Sequence, residues 1–438
     1  MKKLLLILLT ITMISPLYAQ EVESEEDIAE IWNEDELVAE DQEDEVQTRE
    51  PFKRTRQRFE FGLAISDIRI GLDNSLLGIG EIFQEELVID LNKIGSSIRD
   101  GGMNLNVDGS VDILHLDILN IKIQEGLWNF GFFINTDGRI NLNVPKSLFT
   151  LISEGFFDQH LFEGMISASG GVYANTGVSA SAKYGKLRAG VKPTLFSPLV
   201  FIPRSGISYR LDTEDAIDFS TEGEIMVYYP LDESGNFTGL NFGFDLTLDG
   251  EYALFPFLDV GGSLSRIPFA PATLRNRMKM SMSNLEFHLD GDKILQGEMP
   301  ELPNFNGDDP ENPLFENVFD TEPRKVFRPF RFDTYARYKP FSTEILVIRP
   351  NMGFSVDGNE RKGFFNAGLE VQSTLANDII RLYLGTGCTE AIWKNRFGFV
   401  LNLRAIELGL GGALRADSFP GTFQGKGFDI GLGVRIGW

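Results

Sequence analysis

Large apolar side chains alternate with small or polar ones over the last eleven residues of the chain. The apolar positions are Phe428, Ile430, Leu432, Val434, Ile436 and Trp438. A repeat of two residues predicts a β-strand, because successive side chains of a strand point to opposite faces. The length matches the roughly 9–11 residues that a tilted strand needs to cross a bilayer. A soluble β-sandwich can also end in an alternating strand, but it rarely leaves this many large apolar residues on one unbroken face.

The same repeat returns through the chain from Phe59 onward and predicts an all-β fold. One apolar face is predicted for each of residues 59–65, 242–248, 346–356, 365–371, 397–405 and 406–414. The opposite faces carry Asp, Glu, Arg, Asn and Gly, which suit a wet lumen better than the dry core of a sandwich. About 14 such segments, within a range of roughly 12–16, predict a transmembrane antiparallel β-barrel.

Turn signals separate the predicted strands. Hairpin turns are predicted at residues 249–250 and 357–359, and a short turn or bulge where the repeat changes phase at residues 405–406. Pro350 has no amide hydrogen and predicts a bulge or a weakened ladder in its strand. Aromatic residues that suit the girdles at the two membrane interfaces lie near predicted strand ends. They are Tyr228, Tyr229, Phe255, Phe257, Phe327, Phe330, Tyr335 and Tyr338.

Three regions break the repeat. Residues 70–98 mix glycine with apolar residues and predict a short helix or a segment folded inside the barrel. Residues 145–155 predict a helix, with proline in its first turn and glycine at its stop. Either segment is a candidate internal plug. Residues 290–329 are rich in Asp, Asn and Pro and predict the longest loop, on the outside of the cell.

The first residues of the chain predict a secretory signal peptide. Lys2 and Lys3 precede an apolar stretch at residues 4–14, which is shorter than the roughly 20 residues of a membrane-spanning helix. Cleavage is predicted between Ala19 and Gln20. No later window offers 18 continuous apolar residues, so we expect no transmembrane helix in the mature chain. The expected location is the bacterial outer membrane, in contact with its lipid, and an exported soluble β-protein is the alternative.

Acidic charge is concentrated behind this signal. The chain has a formal net charge of -24, and residues 21–50 hold 15 acidic residues against one arginine. Such a segment buries too little surface to offset its ordering entropy, which predicts disorder. We therefore expect a signal peptide at residues 1–19, an acidic periplasmic leader with a basic end at 20–57, and the barrel at 58–438. The leader is either a solvated tail or a tether for a periplasmic partner.

Composition and motifs argue against several classes of protein. With 64 acidic residues against 40 basic ones, the chain would repel a nucleic-acid backbone. The single cysteine, Cys388, cannot form an internal disulfide, and His115, His160 and His288 lack a partner motif for catalysis or metal binding. Glycines at residues 409–412 lie inside an alternating strand. We expect them to make room for neighbouring side chains in a crowded lumen wall rather than to bind a cofactor. We predict no enzyme activity, cofactor, metal or catalytic residue.

Charged residues at polar positions of the predicted strands are candidates for solute contacts in the lumen. They are Asp245, Glu370, Arg404, Glu407, Arg415 and Arg435. The alternative role for these residues is structural, because inward charges can pair across strands and a lumen must satisfy its own polar groups.

Three segments of the chain resemble a known family. They are residues 128–135, 144–155 and 170–192, of which the helix start Pro-Lys-x-Leu-Phe and the strand after it are the most specific. They are similar to an uncharacterised family of bacterial outer-membrane proteins, which in turn resembles long-chain fatty acid transporter barrels of the FadL type. The resemblance covers most of residues 58–438 and leaves out the acidic leader. It implies a barrel of about 14 strands with an internal plug and passage of hydrophobic small molecules.

Bacterial outer-membrane barrels also resemble this chain in their last strand, which the barrel assembly machinery recognises. The corresponding signal here consists of the alternating apolar residues from Phe428 to the terminal Trp438.

Two hypotheses for function follow. The first is a passive channel or transporter for hydrophobic or amphipathic small molecules, which enter from the outer leaflet or the loops and leave through the wall or the periplasmic mouth. The second is a non-transport surface or assembly protein whose long loops, above all residues 290–329, bind a partner.

Overall fold

A computed structural model describes residues 61–74, 102–123, 126–154, 161–213, 217–282, 287–289, 315–357, 359, 362–376, 378–403 and 405–437. These residues form eighteen strands and two helices. The strands are β1 (Phe61–Asn74), β2 (Met103–Ile123), β3 (Gly126–Val144), β4 (Leu161–Tyr184), β5 (Leu187–Asp212), β6 (Ile217–Tyr229), β7 (Gly243–Phe255), β8 (Leu258–Ala270), β9 (Ala272–Met282), β10 (Phe287–Leu289), β11 (Phe315–Val326), β12 (Phe330–Tyr338), β13 (Leu346–Asp357), β14 (Lys362–Leu375), β15 (Ile380–Thr389), β16 (Ile392–Asn402), β17 (Ile406–Ala416) and β18 (Gly427–Gly437). The helices are α1 (Lys146–Glu154), between β3 and β4, and α2 (Phe419–Phe423), between β17 and β18.

Fourteen of these strands pair in one closed ring. Going around the ring, the order is β1 to β5, then β7, β8 and β12, then β13 to β18, and neighbours are antiparallel. The ring closes because β18 pairs with β1, with Gly437 opposite Gly62 and Gly427 opposite Asp73. The predicted antiparallel barrel and its strand number are therefore confirmed.

The alternating repeat sorts side chains onto the two faces of the ring. On β17 and β18, Leu410 is 56% exposed and Ile430 is 57% exposed, whereas Arg415 is 0% exposed and Asp429 is 2% exposed. Apolar side chains thus cover the outer surface and polar ones face the lumen. This is the arrangement that a barrel needs in lipid, because the closed ladder satisfies the backbone while the outer side chains meet hydrocarbon.

The ring has two different ends, which we call the turn end and the loop end. At the turn end, short connections such as Gly185–Lys186 and residues 256–257 join paired strands, and β1 begins beside the end of β18. Gly185 has a φ of 56°, the left-handed conformation that glycine adopts readily in a tight turn. At the loop end lie the longer connections, between β1 and β2, β3 and β4, and β9 and β11.

One side of the wall is about twice as tall as the other. β4 has 24 residues and β5 has 26, whereas β15 has 10 and β18 has 11. Beyond β7, β8 and β12, the wall continues toward the loop end as β6, β9 and β11. In this part β5 pairs with β6, β6 pairs with β9, and β9 pairs with β11. The short β10 pairs with β6. We call these four strands the upper sheet.

The tall wall breaks at one level, between the ring and the upper sheet. β8 and β9 separate at Pro271, where the amide hydrogen of a regular ladder is missing, and β11 and β12 separate at residues 327–329. Buried apolar residues gather at this level. They are Tyr173, Phe196, Phe201, Tyr228, Ala272, Leu274 and Val326. None of these side chains is more than 6% exposed, so packing closes the wall where the ladder is interrupted.

Residues 230–242 leave the wall between β6 and β7, and we call them the flap. The amide of Asn276 on β9 donates a hydrogen bond of 2.8 Å to the Leu231 carbonyl and so fastens the flap to the upper sheet. At its tip, the backbone N–H of Asn236 donates to the Asp232 carboxylate and lowers the pKa of Asp232. Phe237 and Phe242 of the flap are 59% and 52% exposed.

The structure corrects two predicted turns and loops. Residues 249–250 do not form a turn: β7 runs through them to Phe255, because Gly250 pairs with Gly262 and the two-residue repeat continues. The hairpin turn lies at residues 256–257 instead. The predicted long loop at residues 290–329 contains β11, which pairs with β9 despite its proline and acidic residues. Residues 290–314 of that prediction lie outside the described residues.

Two further predictions are partly corrected. Residues 70–74 belong to β1, because they pair with β2 and β18, and residues 75–98 of the predicted internal segment lie outside the described residues. Pro350 causes no bulge against β14, where the register is unbroken. In the ladder between β12 and β13, Pro350 has no paired residue. The paired positions on β13 end at Asn351 and begin again at Ile348.

The predicted helix after Pro145 is confirmed as α1. Neither of the described helices combines the length and the apolar character that crossing a membrane would require.

Candidate functional site

A cavity with a volume of about 460 Å³ lies in the lumen. Residues from twelve strands of the ring line it, so it occupies the centre of the barrel rather than one wall. About half of the lining residues carry an amide, carboxylate or guanidinium group, and a smaller aromatic part includes Tyr173, Phe201 and Phe364. A volume of several hundred Å³ is the usual size of a small-molecule site.

Asparagine amides form rows on the inner faces of β2, β3 and β4. Asn141 donates to Asn106 at 2.6 Å, and Asn143 donates to Asn104 at 2.9 Å. These pairs follow from the register, which places each donor opposite its acceptor across the β2–β3 ladder. Each amide carries two donors and an acceptor, so such rows can hydrogen-bond to solutes of varied polar chemistry.

Arg415 holds together the charged residues on one side of the lumen. It forms ion pairs with Asp73 at 2.7 Å, with Asp108, and with Asp429 at 3.9 Å. Arg69 also pairs with Asp429, and Lys394 lies 3.7 Å from Asp108. Because Arg415 and Asp429 are almost fully buried, the charges depend on one another rather than on water. This cluster ties β17 to β1, β2 and β18 across the closure of the ring.

A second buried pair lies at the level of the wall break. Arg328 donates to Asp245 through Nε at 2.7 Å and through a terminal nitrogen at 2.8 Å, which makes a bidentate contact. Its other terminal nitrogen donates to Asn175 at 2.8 Å, and the guanidinium lies over the Phe196 ring. The pair of Arg328 and Asp245 thus joins β7 of the ring to residues 327–329, which separate β11 from β12.

A smaller cavity of about 140 Å³ lies nearer the turn end of the lumen. Its lining includes His115, whose Nε2 atom lies 3.2 Å from Asp117. Ser265, Arg331, Asp333 and Asn351 line both this cavity and the central one. The ion pair between Arg331 and Asp333 therefore stands at the boundary between the two cavities.

A third cavity, of about 110 Å³, has a floor of glycine on β15 to β18. Gly411 pairs directly with Gly398 on one side and Gly431 on the other. We expected the glycines at residues 409–412 to make room for neighbouring side chains in a crowded wall. At the inward-facing positions this prediction is wrong. A Cβ atom on Gly409 or Gly411 would meet nothing closer than 3.8 Å. Crowding is found at Gly412, where a Cβ would lie 2.7 Å from the Phe397 ring.

The first turn of α1 packs against β4 and β5 at the loop end. Ser147 donates to the Glu163 carbonyl at 2.6 Å and lies 2.7 Å from the hydroxyl of Tyr209, a buried residue of β5. A Cβ on Gly164 would touch Pro145, so the absence of a side chain lets the helix approach β4 closely. The helix covers the free edge of β4 rather than filling the central cavity.

The predicted lumen residues fall into two groups. Asp245 and Arg415 are buried in the ion pairs described above, whereas Glu370, Glu407 and Arg435 line cavities. Arg404 lies outside the described residues. A contact between any of them and a solute stays a prediction.

The remaining predicted positions have varied outcomes. Ile430 and Leu432 of the predicted assembly signal lie on the outer face, and the Trp438 side chain lies outside the described residues, as do Ala19, Gln20 and the leader. Of the predicted girdle residues, Phe255, Phe257 and Tyr338 form an aromatic cluster at the turn end. Tyr335 instead lies at an inward-facing position of β12, so its hydroxyl faces the lumen and donates a hydrogen bond to Glu251.

Sequence reasoning missed several lumen residues. Arg396 lies at an inward-facing position of a strand that the two-residue repeat predicted. The repeat alone could therefore have added Arg396 to the lumen candidates. Arg328 lies within the predicted loop at 290–329, where no repeat marks it. Within the described part of the chain, no group of three His, Cys, Asp or Glu side chains is arranged to hold a metal ion.

The fold and the lumen together define a transmembrane antiparallel β-barrel with an apolar outer face and a charged, hydrogen-bonding interior. A family model described as a family of unknown function (DUF5723) matches residues 52–230. No curated protein matches the chain.

Among solved structures, the barrel is similar to the Pseudomonas putida toluene transporter TodX, with 8% identity, a TM-score of 0.45, and coverage of 86% of this chain and 89% of that one. It is also similar to the Ralstonia pickettii toluene transporter TbuX, with 7% identity, a TM-score of 0.43, and coverage of 86% and 89%. A Pseudomonas aeruginosa FadL homologue has 8% identity, a TM-score of 0.37, and coverage of 86% and 90%.

Proposed function

We propose that this protein is a bacterial outer-membrane channel for small amphipathic molecules. In this proposal the turn end faces the periplasm and the loop end faces outward, since outer-membrane barrels have short periplasmic turns and long outer loops. The solute would enter at the loop end, occupy the central cavity, and pass the boundary at Arg331 and Asp333 toward the turn end.

The observation that carries this proposal is the central cavity of about 460 Å³ and its mixed lining. Asn106, Asn141 and Asn366 offer amides, while Tyr173 and Phe364 offer aromatic faces. A purely apolar solute would take water away from many charged and amide groups without replacing their hydrogen bonds, which costs free energy for each group. A molecule with a polar and an apolar part satisfies both kinds of lining.

Liposome swelling tests the channel. Proteoliposomes that contain the purified barrel are expected to swell faster than empty liposomes in isosmotic leucine, an amphipathic solute that crosses lipid poorly. Proteoliposomes with the double variant R331A/D333A should swell faster still, because the variant removes two long side chains at the boundary between the two cavities. The double variant R210A/D212A is the matched control, since that ion pair has a half-exposed arginine and lies outside all three cavities. Swelling at the rate of empty liposomes, with a correctly folded barrel, would contradict the proposal.

The upper sheet favours a second function, which is binding of a partner at the loop end. β6, β9 and β11 have 13, 11 and 12 residues, and at about 3.3 Å per residue they extend the wall by roughly 35–40 Å along the strand direction. A transmembrane channel does not need this extension to cross the bilayer. A folded barrel that conducts no solute would favour this second function.

The parts of the chain outside the described residues fit the same proposal. We assign residues 1–19 to an export signal, residues 20–57 to a periplasmic leader and residues 58–438 to the barrel. The last strand would be the segment that the barrel assembly machinery recognises.

A further inference from the structure

Two residues of opposite charge face the lumen without a direct partner. Glu370 on β14 and Arg396 on β16 each form no hydrogen bond and no ion pair within 4.0 Å of another described residue, although each lies in the other's electrostatic field. Both line the central cavity and the glycine-floored cavity. This differs from Arg415 and Arg328, whose charges are matched by carboxylates in contact.

The register places Glu370 and Arg396 two strands apart. Glu370 pairs with Gly385 on β15, and Gly385 pairs with Arg396 on β16. Two strand spacings of about 4.8 Å place their Cα atoms about 10 Å apart. Gly385, between them, has no side chain to fill the gap. The two charges therefore stand at opposite sides of an open recess in the wall.

The recess continues beyond Arg396 over a floor of bare backbone. Gly398, Gly411 and Gly431 lie side by side on three paired strands. A Cβ on Gly411 would find no atom closer than 3.8 Å, and a Cβ on Gly431 none closer than 3.6 Å. At Gly71, in contrast, a Cβ would collide with the Arg415 guanidinium at 1.7 Å. The space above Gly411 and Gly431 is thus open, whereas the space above Gly71 is filled by the Arg415 side chain.

We propose that Glu370, Arg396, the gap at Gly385 between them and the adjoining glycine floor form a binding site for small zwitterionic molecules. The Arg396 guanidinium would bind a carboxylate, and the Glu370 carboxylate would bind an ammonium group a few ångströms away. A zwitterion would bring a group of opposite charge into contact with both residues at once. An anion or a cation alone would supply one of them, and a neutral apolar molecule would remove water from both without compensation.

This site deepens the proposed function, because it gives the polar part of the amphipathic solute a specific chemistry. The volume of about 110 Å³ over the glycine floor suits a group of a few heavy atoms. The larger central cavity, which shares Glu370 and Arg396, would hold the apolar part of the solute. The role of the site in passage rests on the channel, but binding to the site does not.

Equilibrium binding in an uncharged detergent therefore tests the site separately from conduction. Isothermal titration of the purified full-length barrel with leucine should show saturable binding that is stronger than binding of isohexanoate or isopentylamine, which each carry one charge. E370Q and R396Q should each weaken leucine binding by about tenfold or more, the usual effect of losing a hydrogen bond to a charged group. R210Q, which removes an exposed charge on β5, should change nothing.

The charge-swapped double variant E370R/R396E separates a zwitterion site from a general effect of charge. It should bind leucine better than either single variant, because a zwitterion can bind in the reversed orientation. All variants are first checked for heat-modifiable migration, which reports a folded barrel. Equal binding of leucine and isohexanoate, or loss in R396Q without loss in E370Q, would overturn the proposal in favour of a simple anion site. Binding without liposome swelling would leave the site intact and contradict only the channel.

Discussion

Replacing Arg415 with methionine is expected to lower the free energy of unfolding of the barrel by about 3–5 kcal/mol. The variant keeps the bulk of the side chain but removes the charge that Asp73, Asp108 and Asp429 share. Breaking a buried ion pair from one side leaves uncompensated charge in a region of low dielectric constant, and here three carboxylates are left. Lys394, at 3.7 Å from Asp108 and 3.9 Å from Asp429, can compensate only part of this charge.

The measurement is urea unfolding of the barrel in lipid vesicles, followed by tryptophan fluorescence. R210M serves as the control, because the Arg210 side chain is 58% exposed and its contact with Asp212 is a surface ion pair, a kind that contributes little. Adding D108N to R415M should recover part of the lost stability, because it removes one of the orphaned charges. If R415M and R210M unfolded at the same urea concentration, the Arg415 cluster would not stabilise the closure of the ring.

Replacing Asp245 with alanine is expected to lower the free energy of unfolding by about 3 kcal/mol. Asp245 is 1% exposed and accepts both hydrogen bonds of the bidentate contact with Arg328. Without it, a guanidinium stays buried against the Phe196 ring, where water does not replace the carboxylate. Asp137 remains 3.6 Å away and Asn175 still accepts one hydrogen bond, which keeps the loss below that of R415M.

A double-mutant cycle makes this expectation specific to the pair. The same unfolding measurement on D245A, R328M and D245A/R328M should show that the double variant is more stable than D245A alone, because it removes the orphaned charge. D212A is the control for removal of an aspartate from the tall wall. Additive losses in the cycle would show that Asp245 and Arg328 do not stabilise each other.

The alternation of residue types was enough to predict the ring and its two faces. It works on β17 and β18 because lipid outside and polar groups inside impose opposite demands on neighbouring positions, so Leu410 and Arg415 are assigned by parity alone. The turn at residues 249–250 was predicted wrongly, because an Asp-Gly pair is a local signal. In β7 the continuing ladder to β8 overrides it.

The upper sheet could not be predicted, because its strands lack the signals of a membrane wall. β11 contains Pro323 and several acidic residues, and it forms a strand because β9 supplies a pairing partner far away in the sequence. The site shows the same limit. Parity places Arg396 in the lumen, but its separation from Glu370 by one glycine depends on the register of three strands, which no local pattern encodes.

The glycines show most clearly what the sequence leaves open. Gly71 and Gly411 both occupy inner positions of alternating strands, yet one makes room for the Arg415 guanidinium and the other borders an open recess. Residue type is the same at both positions. The difference lies in the length and direction of side chains on neighbouring strands, which only the assembled barrel brings together.

Cysteine modification during planar-bilayer recording tests the central claim, that the closed ring surrounds a lumen through which small solutes pass. In a C388S background, G409C places a thiol in the lumen and L410C places one on the outer face. A charged, water-soluble methanethiosulfonate reagent is expected to lower the current of C388S/G409C irreversibly and to leave that of C388S/L410C unchanged. Absence of current in the unmodified barrel, or an equal response of the two variants, would contradict the account.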